Sequence, residues 1–234
     1  MIKKITLIFF ASFFPKEYDK NRNQDRLEEY TASIKRVQQY LEKRDNWRLL
    51  IVENTVDIDY LSSLRVIKDM SNVSLYSSNI GISNKGVGEL DMLTHVVNDK
   101  KDVIAESEYI VYFSGRHLLS SPYSLDCIEK SESDALISNP DFFYFDGSVV
   151  KSEKNHMFND MFFGMKKDLM VEYSKYFNQN KERMIKSKMN SESLLYEFIN
   201  LKEIVYESLD YIGLIRSDYI RLNRWKTKRI WHIC

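Results

Sequence analysis

Residues 5 to 13 form a continuous β-prone run without alternation of apolar and polar positions, which predicts a strand buried on both faces. A polar loop from Lys16 to Asn23 follows. From about Gln24 to Lys43 the residues Leu27, Tyr30, Ile34, Val37, Tyr40 and Leu41 recur at helical spacing, the mark of an amphipathic helix. Trp47 to Val52 predicts a second strand, about Tyr60 to Lys68 a short helix, and Val73 to Ser77 a third strand leading to Asn79. A helix opened by Gly86 or Gly88 runs to about Val97, and Tyr109 to Phe113 is the most apolar strand of the middle section. Strand and helix thus alternate four times in the first 120 residues. Parallel strands need such crossovers, so the pattern predicts an α/β fold with a mostly parallel central sheet flanked by helices.

The second half changes character. Asp134 to Ser138, Phe142 to Asp146 and Met161 to Met165 read as short strands of a mixed half. A helix from about Asp168 to Phe177, a charged linker, a helix from about Ser193 to Asn200 and a returning strand over Tyr211 to Leu222 complete the chain. One domain over residues 1–215 is expected, with halves of about 1–120 and 121–215, followed by a basic, Trp-containing segment over 216–234.

Charge narrows the partners. The 34 basic and 34 acidic side chains cancel, so no global field draws the protein to nucleic acid. The balance is uneven, however: Arg216, Arg221, Arg224, Lys226, Lys228 and Arg229 gather near the end with Trp225 and Trp231. Lys and Arg attract anionic headgroups and Trp favours the interface, so a peripheral membrane contact stands beside a solvated basic tail or an oligomer contact. Cys127 and Cys234 make no disulfide framework, which suits a reduced, cytoplasmic compartment. The apolar run near Met1 resembles a short signal peptide, but Phe13-Phe14-Pro15 stands where a small-residue cleavage site would be, and a first buried strand explains it better. No segment approaches the roughly 20 apolar residues that span a bilayer.

Several enzyme signatures are missing. No G-x-G-x-x-G follows the first strand, and there is no G-x-x-x-x-G-K-[ST], G-x-S-x-G or H-E-x-x-H. His95, His117, His156 and His232 are scattered, a poor basis for a metal site. What remains is a series of polar residues at predicted strand ends, where open α/β sheets bind ligands. Ser12 ends the first strand, Glu53 and Asn54 the second, and Asn79 the third, with Lys85 and Gly86 before the next helix. Ser12, a small residue, lets a base or ribose approach the backbone, a solvated loop hydroxyl being the alternative. Glu53 and Asn54 carry acceptors and donors suited to a base edge or ribose hydroxyls. Lys85 could neutralise a phosphate, with Gly86 letting backbone N–H groups approach it. Ser114-Gly115-Arg116 follows the most apolar strand, and its arginine can fork onto a diphosphate oxygen or pair with a core-edge carboxylate.

Carboxylates supply the rest. Asp57-Ile58-Asp59 spells the D-x-D with which sugar-nucleotide enzymes hold Mn2+ or Mg2+, but it follows the second strand and reads better as a helix start capped by aspartate. Asp146 closes an aromatic strand and is the better placed carboxylate, a turn being the alternative. Asp160 begins an apolar strand, and Glu192 sits in the first turn of a helix. Each is a candidate to take a proton from a hydroxyl; the bland readings are a turn cap and a complement to the helix dipole.

Asn84-Lys85-Gly86 before a helix, Ser114-Gly115-Arg116-His117 after a strand, Phe158 to Lys167, and Ser191 to Phe198 together resemble small bacterial glycosyltransferases of capsule, O-antigen and lipopolysaccharide synthesis, of the GT-A fold class. The resemblance spans about residues 5 to 200. It implies a nucleotide-sugar donor, a UDP-sugar first, over one half of the sheet. A glycan or lipid-linked glycan acceptor would lie over the other, with the protein at the inner membrane face. Ser12, Glu53, Asn79 and Lys85 would then face the nucleotide, Arg116 the diphosphate or sugar, and Glu192 or Asp160 the acceptor. Ser114-Gly115-Arg116 stands where the family's metal-binding D-x-D is usual, which implies a cation-assisted mechanism using Arg116 or Lys85 and leaves Mn2+ or Mg2+ open. Two rivals remain: a non-catalytic partner of a polysaccharide assembly system, and a sugar nucleotidyltransferase. The latter would want a Gly- and Arg-rich loop where Phe13-Phe14-Pro15 stands.

Overall fold

The computed structural model describes residues 3–15, 20–68, 70, 73–77, 85–119, 121–138, 142–143, 149–150, 158–209 and 214–215. The first half builds β1 (Ile5–Ala11), α1 (Lys20–Leu41), β2 (Trp47–Glu53), α2 (Ile58–Ser63), α3 (Arg65–Lys68), β3 (Val73–Ser77), α4 (Lys85–Asp99), α5 (Lys101–Ala105) and β4 (Tyr109–Ser114). The second adds β5 (Leu118–Leu119), α6 (Tyr123–Lys130), β6 (Ala135–Ser138), β7 (Phe142–Phe143), β8 (Val149–Val150), β9 (Asn159–Lys166), α7 (Lys167–Ser187), α8 (Ser191–Leu201), β10 (Tyr206–Leu209) and β11 (Leu214–Ile215). Seven strands form one sheet in the order β10-β6-β9-β4-β1-β2-β3. All its neighbours pair in parallel except β9, which runs antiparallel to both β4 and β6. The mostly parallel sheet is the one the alternation predicts.

Strand pleating sorts the core into two layers. On one face Leu7, Phe9, Leu49, Ile51, Val111 and Phe113 meet Tyr30, Ile34 and Val37 of α1, Leu61 of α2, and Leu125 and Ile128 of α6. On the other, Ile8, Phe10, Leu50, Val52, Ile110 and Tyr112 meet α4, α7 and α8 through Leu90, Leu93, Tyr173, Phe177, Leu195 and Phe198. Successive side chains of a strand point to opposite faces, and β1 is buried at every position because helices cover both. On the α4 face an aromatic row crosses three strands: Phe10 stacks on Tyr112 at 4.5 Å between ring centroids, and Tyr112 on Phe163 at 4.9 Å. Each such buried side chain contributes about 1.5–3 kcal/mol of transfer free energy.

Two expectations are revised, and a third is tested only in part. The charged stretch after Phe177 is not a linker: α7 continues to Ser187, ending where Lys188 adopts a left-handed conformation, φ 54°. Met184 extends its buried stripe, and Lys181 forms an ion pair with Asp91 of α4 at 2.6 Å. The helix expected over Tyr60 to Lys68 breaks into α2 and α3 at Leu64, whose extended backbone ends α2. Asp57 caps α2 by accepting from the Tyr60 N–H at 2.7 Å, as the helix-start reading of D-x-D has it. Of the strand expected over Tyr211 to Leu222, the described part is Leu214–Ile215, paired antiparallel with β5. The basic segment 216–234 lies outside the described residues. No helix among those described is long and apolar enough to cross a membrane.

Candidate functional site

The chain passes from β1 to β2 to β3 on one side of β1, then crosses to place β4 on the other. The carboxyl ends of β1 and β4 are therefore a topological switch point, where the flanking connections diverge and leave a crevice. The Gly115 N–H donates to the Phe10 carbonyl at 2.9 Å, stitching the two strand ends together. Ser12, Ser114, Gly115 and Arg116 stand there.

Helix α1 holds this rim through one polar stripe. Arg26, Glu29 and Ser33 recur at the spacing of Tyr30, Ile34 and Val37 and are as buried as they are, at 4%, 3% and 0% exposure. Arg26 forks onto the Ser12 carbonyl, Nε at 3.0 Å and Nη2 at 2.8 Å, and its Nη2 also donates to the Tyr30 hydroxyl at 3.2 Å. Glu29 forms an ion pair with Arg116, Oε2 to Nε, at 3.8 Å. Ser33 donates to the His117 carbonyl. Each residue of the stripe thus meets the chain just beyond β1 or β4. Burial pushes the Tyr30 phenol up to about 12, against the opposing charges of Arg26 and Arg116.

Beside it, at the ends of β1 and β2, Ser12 Oγ donates to Asn54 Oδ1 at 2.7 Å. Asn54 is 1% exposed, and its Nδ2 has no hydrogen-bond partner among the described residues. Glu53 differs from its sequence reading: its carboxylate is fully buried and turned inward. Oε1 accepts from the Phe13 N–H at 2.8 Å and from the Thr55 hydroxyl; Oε2 accepts from the Thr55 and Val56 N–H groups, each at 2.6 Å. Burial raises its pKa, opposed by these bonds. Glu53 holds the rim rather than facing out of it.

Lys85 and Gly86 open α4, which by its parallel crossover starts at this same rim; their side chains are not among those described. Asn79 and Asp146 lie outside the described residues. Because β9 is antiparallel to β4, it begins at the rim where β4 ends. The last paired position is Phe113↔Phe162, which leaves Asp160 two residues beyond it on the β9 side. Its backbone is described and its side chain is not. Half-buried Glu192, in the first turn of α8, accepts through its backbone carbonyl from the Phe158 N–H at 3.3 Å. This bond ties the backbone of the first turn of α8 to the residue that enters β9.

The sequence reading missed Arg26 and Glu29. Their signal was present, since both fall on the apolar stripe of α1, but charged residues on an amphipathic helix read by default as its wet face. Among the described residues, what stands at the end of β4 is a guanidinium paired with a carboxylate, Arg116 with Glu29, rather than clustered oxygen ligands. Among the described residues no three His, Cys, Asp or Glu side chains converge to hold a metal.

No family model and no curated protein matches the sequence. Among solved structures, one from Desulfovibrio desulfuricans G20, provisionally described as a nucleotide-diphospho-sugar transferase, superposes with a TM-score of 0.60 at 13% identity, over 98% of this chain and 92% of that one. The likeness establishes the fold. At this identity it leaves the activity to be argued from the site.

Proposed function

We propose that this protein is a glycosyltransferase that moves a sugar from a nucleoside-diphosphate sugar to a hydroxyl of a bacterial surface-glycan acceptor. The observation that supports this reading is Arg116, half-buried at the switch point of a sheet shared with the structure provisionally described as a nucleotide-diphospho-sugar transferase. The donor, a UDP-sugar first, lies over the ends of β1, β2 and β4, with Ser12 and Asn54 toward the nucleoside and Lys85 and Gly86 at its phosphates. Arg116 takes the diphosphate. In transfer, the acceptor oxygen bonds to the anomeric carbon as the bond from that carbon to the diphosphate oxygen breaks. The leaving group departs with the electron pair and meets fixed positive charge. The acceptor's proton goes to a carboxylate, Glu192 first and Asp160 second, if the reaction inverts. A lipid-linked acceptor would place the protein at the inner membrane face, with the basic segment 216–234 as the contact.

The second reading, a non-catalytic nucleotide- or glycan-binding partner, is favoured by Ser114-Gly115-Arg116 standing in place of a metal-binding D-x-D. Thermal shift with UDP, GDP, CMP and dTDP, each with and without Mn2+, tests both. Stabilisation by one nucleotide supports the donor site and names its class, and transfer assays with that donor then separate enzyme from binder. No shift with any nucleotide removes the donor site and the function with it.

A further inference from the structure

Two opposite charges buried in the apolar stripe of a helix demand a reason. Desolvating a carboxylate or a guanidinium costs several kcal/mol even after relaxation, and an alanine or leucine at position 29 would complete the stripe at no such cost. Glu29 is 3% exposed, and its carboxylate stands beside Nε of Arg116. At 3.8 Å this contact is too long for a hydrogen bond and acts by charge. Arg116 Nε is itself buried, so the 22% of the side chain that remains exposed lies on its other atoms. The arginine is thus held at Nε, while part of its side chain stays exposed.

The fixed end matters as much. Glu29 belongs to the helix that Arg26 ties to the Ser12 carbonyl and Ser33 to the His117 carbonyl. Gly115, just before Arg116, is bonded to Phe10. Glu29 is therefore fixed relative to both strand ends of the switch point. A flexible arginine pays an ordering cost of about 0.5–1.5 kcal/mol when a ligand immobilises it; an arginine already aligned does not.

We propose that Glu29 is a positioning residue for Arg116: from α1 it holds the guanidinium where the diphosphate of a nucleoside diphosphate arrives. This rests on the donor reading given above and adds to it a buried carboxylate that never touches the ligand.

Calorimetric titration of the full chain with UDP, or with whichever nucleoside diphosphate gives the thermal shift, and with the matching nucleoside tests the proposal. Arg116→Ala should weaken the diphosphate about tenfold or more, the worth of a charge-assisted bond, and leave the nucleoside unchanged. Glu29→Gln should weaken the diphosphate about two- to tenfold, again sparing the nucleoside. In the Arg116→Ala background it should have no further effect on the ligand, since in this proposal Glu29 reaches the ligand through that side chain. Glu29→Asp, which keeps the charge, serves if the glutamine variant folds poorly and should show the same selective loss in weaker form. Equal losses on nucleoside and diphosphate, or additive losses in the double variant, would overturn the positioning role while the donor site stands. A wild-type chain that binds no nucleotide at all would remove the donor reading itself.

Discussion

A β-carbon on Gly115 would stand 2.2 Å from Cε1 of Phe9 and 2.7 Å from the carbonyl oxygen of Phe10. The ring could turn aside, but the carbonyl cannot, because it accepts the Gly115 N–H in the bond that joins β1 to β4. Gly115→Ala must therefore push the two strand ends apart. The expected cost is about 1–3 kcal/mol, the range for overpacking a dense interior, with Arg116 displaced as well. Urea unfolding followed by circular dichroism measures it. A change within about 0.5 kcal/mol would mean that the strand ends are looser than this geometry implies.

Glu53→Gln separates the two roles open to that residue. An amide keeps the shape but turns an NH2 group toward backbone N–H donors that now share one carboxylate oxygen. Leaving a buried donor unsatisfied costs about 1–3 kcal/mol. The variant should lose stability on that scale, and hydrogen exchange at the Thr55 and Val56 amides should quicken. If Glu53 instead contacts the nucleotide, stability would hold and nucleotide affinity would fall.

The architecture was legible because burial on both faces leaves an unmistakable trace: β1, β2 and β4 are apolar almost without interruption. What escaped has a common cause. Between Phe177 and Ser187 the one buried residue of α7 is Met184, so its second half reads as a charged linker, and an ion pair with α4 decides the matter. In β10 Tyr206 and Glu207 are exposed and Leu209 is buried, too short an alternation to announce an edge strand. At the site, strand-end residues could be named from position, but direction could not. Glu53 and Asn54 are adjacent in sequence, and the pleat turns one toward the α1 side and the other toward Ser12. Arg26 and Glu29 needed the tertiary structure, because whether a charge on an amphipathic helix is wet depends on what packs against it.

The phenol of Tyr30 makes stability depend on pH at the alkaline end. Its folded pKa is pushed up to about 12 from an ordinary value of 10.0, so the folded chain holds this proton more tightly than the unfolded chain. The stabilisation is complete below pH 10 and is lost as pH rises through about 12. The shift is worth roughly 2–3 kcal/mol. Urea unfolding of the wild type and Tyr30→Phe at pH 9 and pH 11.5 isolates it, because all other titrating groups are common to both. The wild type's margin over the variant should shrink at the higher pH. A margin independent of pH would show that the Tyr30 hydroxyl reaches solvent.

In the proposed transfer the chemistry turns on two carboxylates, Glu192 of α8 and Asp160 of β9. If the proposed transfer inverts, one group must take the acceptor proton as the new bond forms, and removing it slows the chemical step without disturbing the donor held over β1 and β4. Glu192→Gln should lower kcat by about 10^2- to 10^4-fold, the usual contribution of a general base, with donor affinity unchanged. Asp160→Asn should cost less. Steady-state transfer assays, read against calorimetric donor binding for each variant, distinguish the outcomes. A larger loss in Asp160→Asn would exchange the two roles. Loss of donor affinity in either variant would move that carboxylate from the acceptor side to the donor side. If neither substitution alters transfer, an inverting reaction based on Glu192 or Asp160 is wrong, and a retaining mechanism governed by Arg116 and the leaving diphosphate becomes the better account.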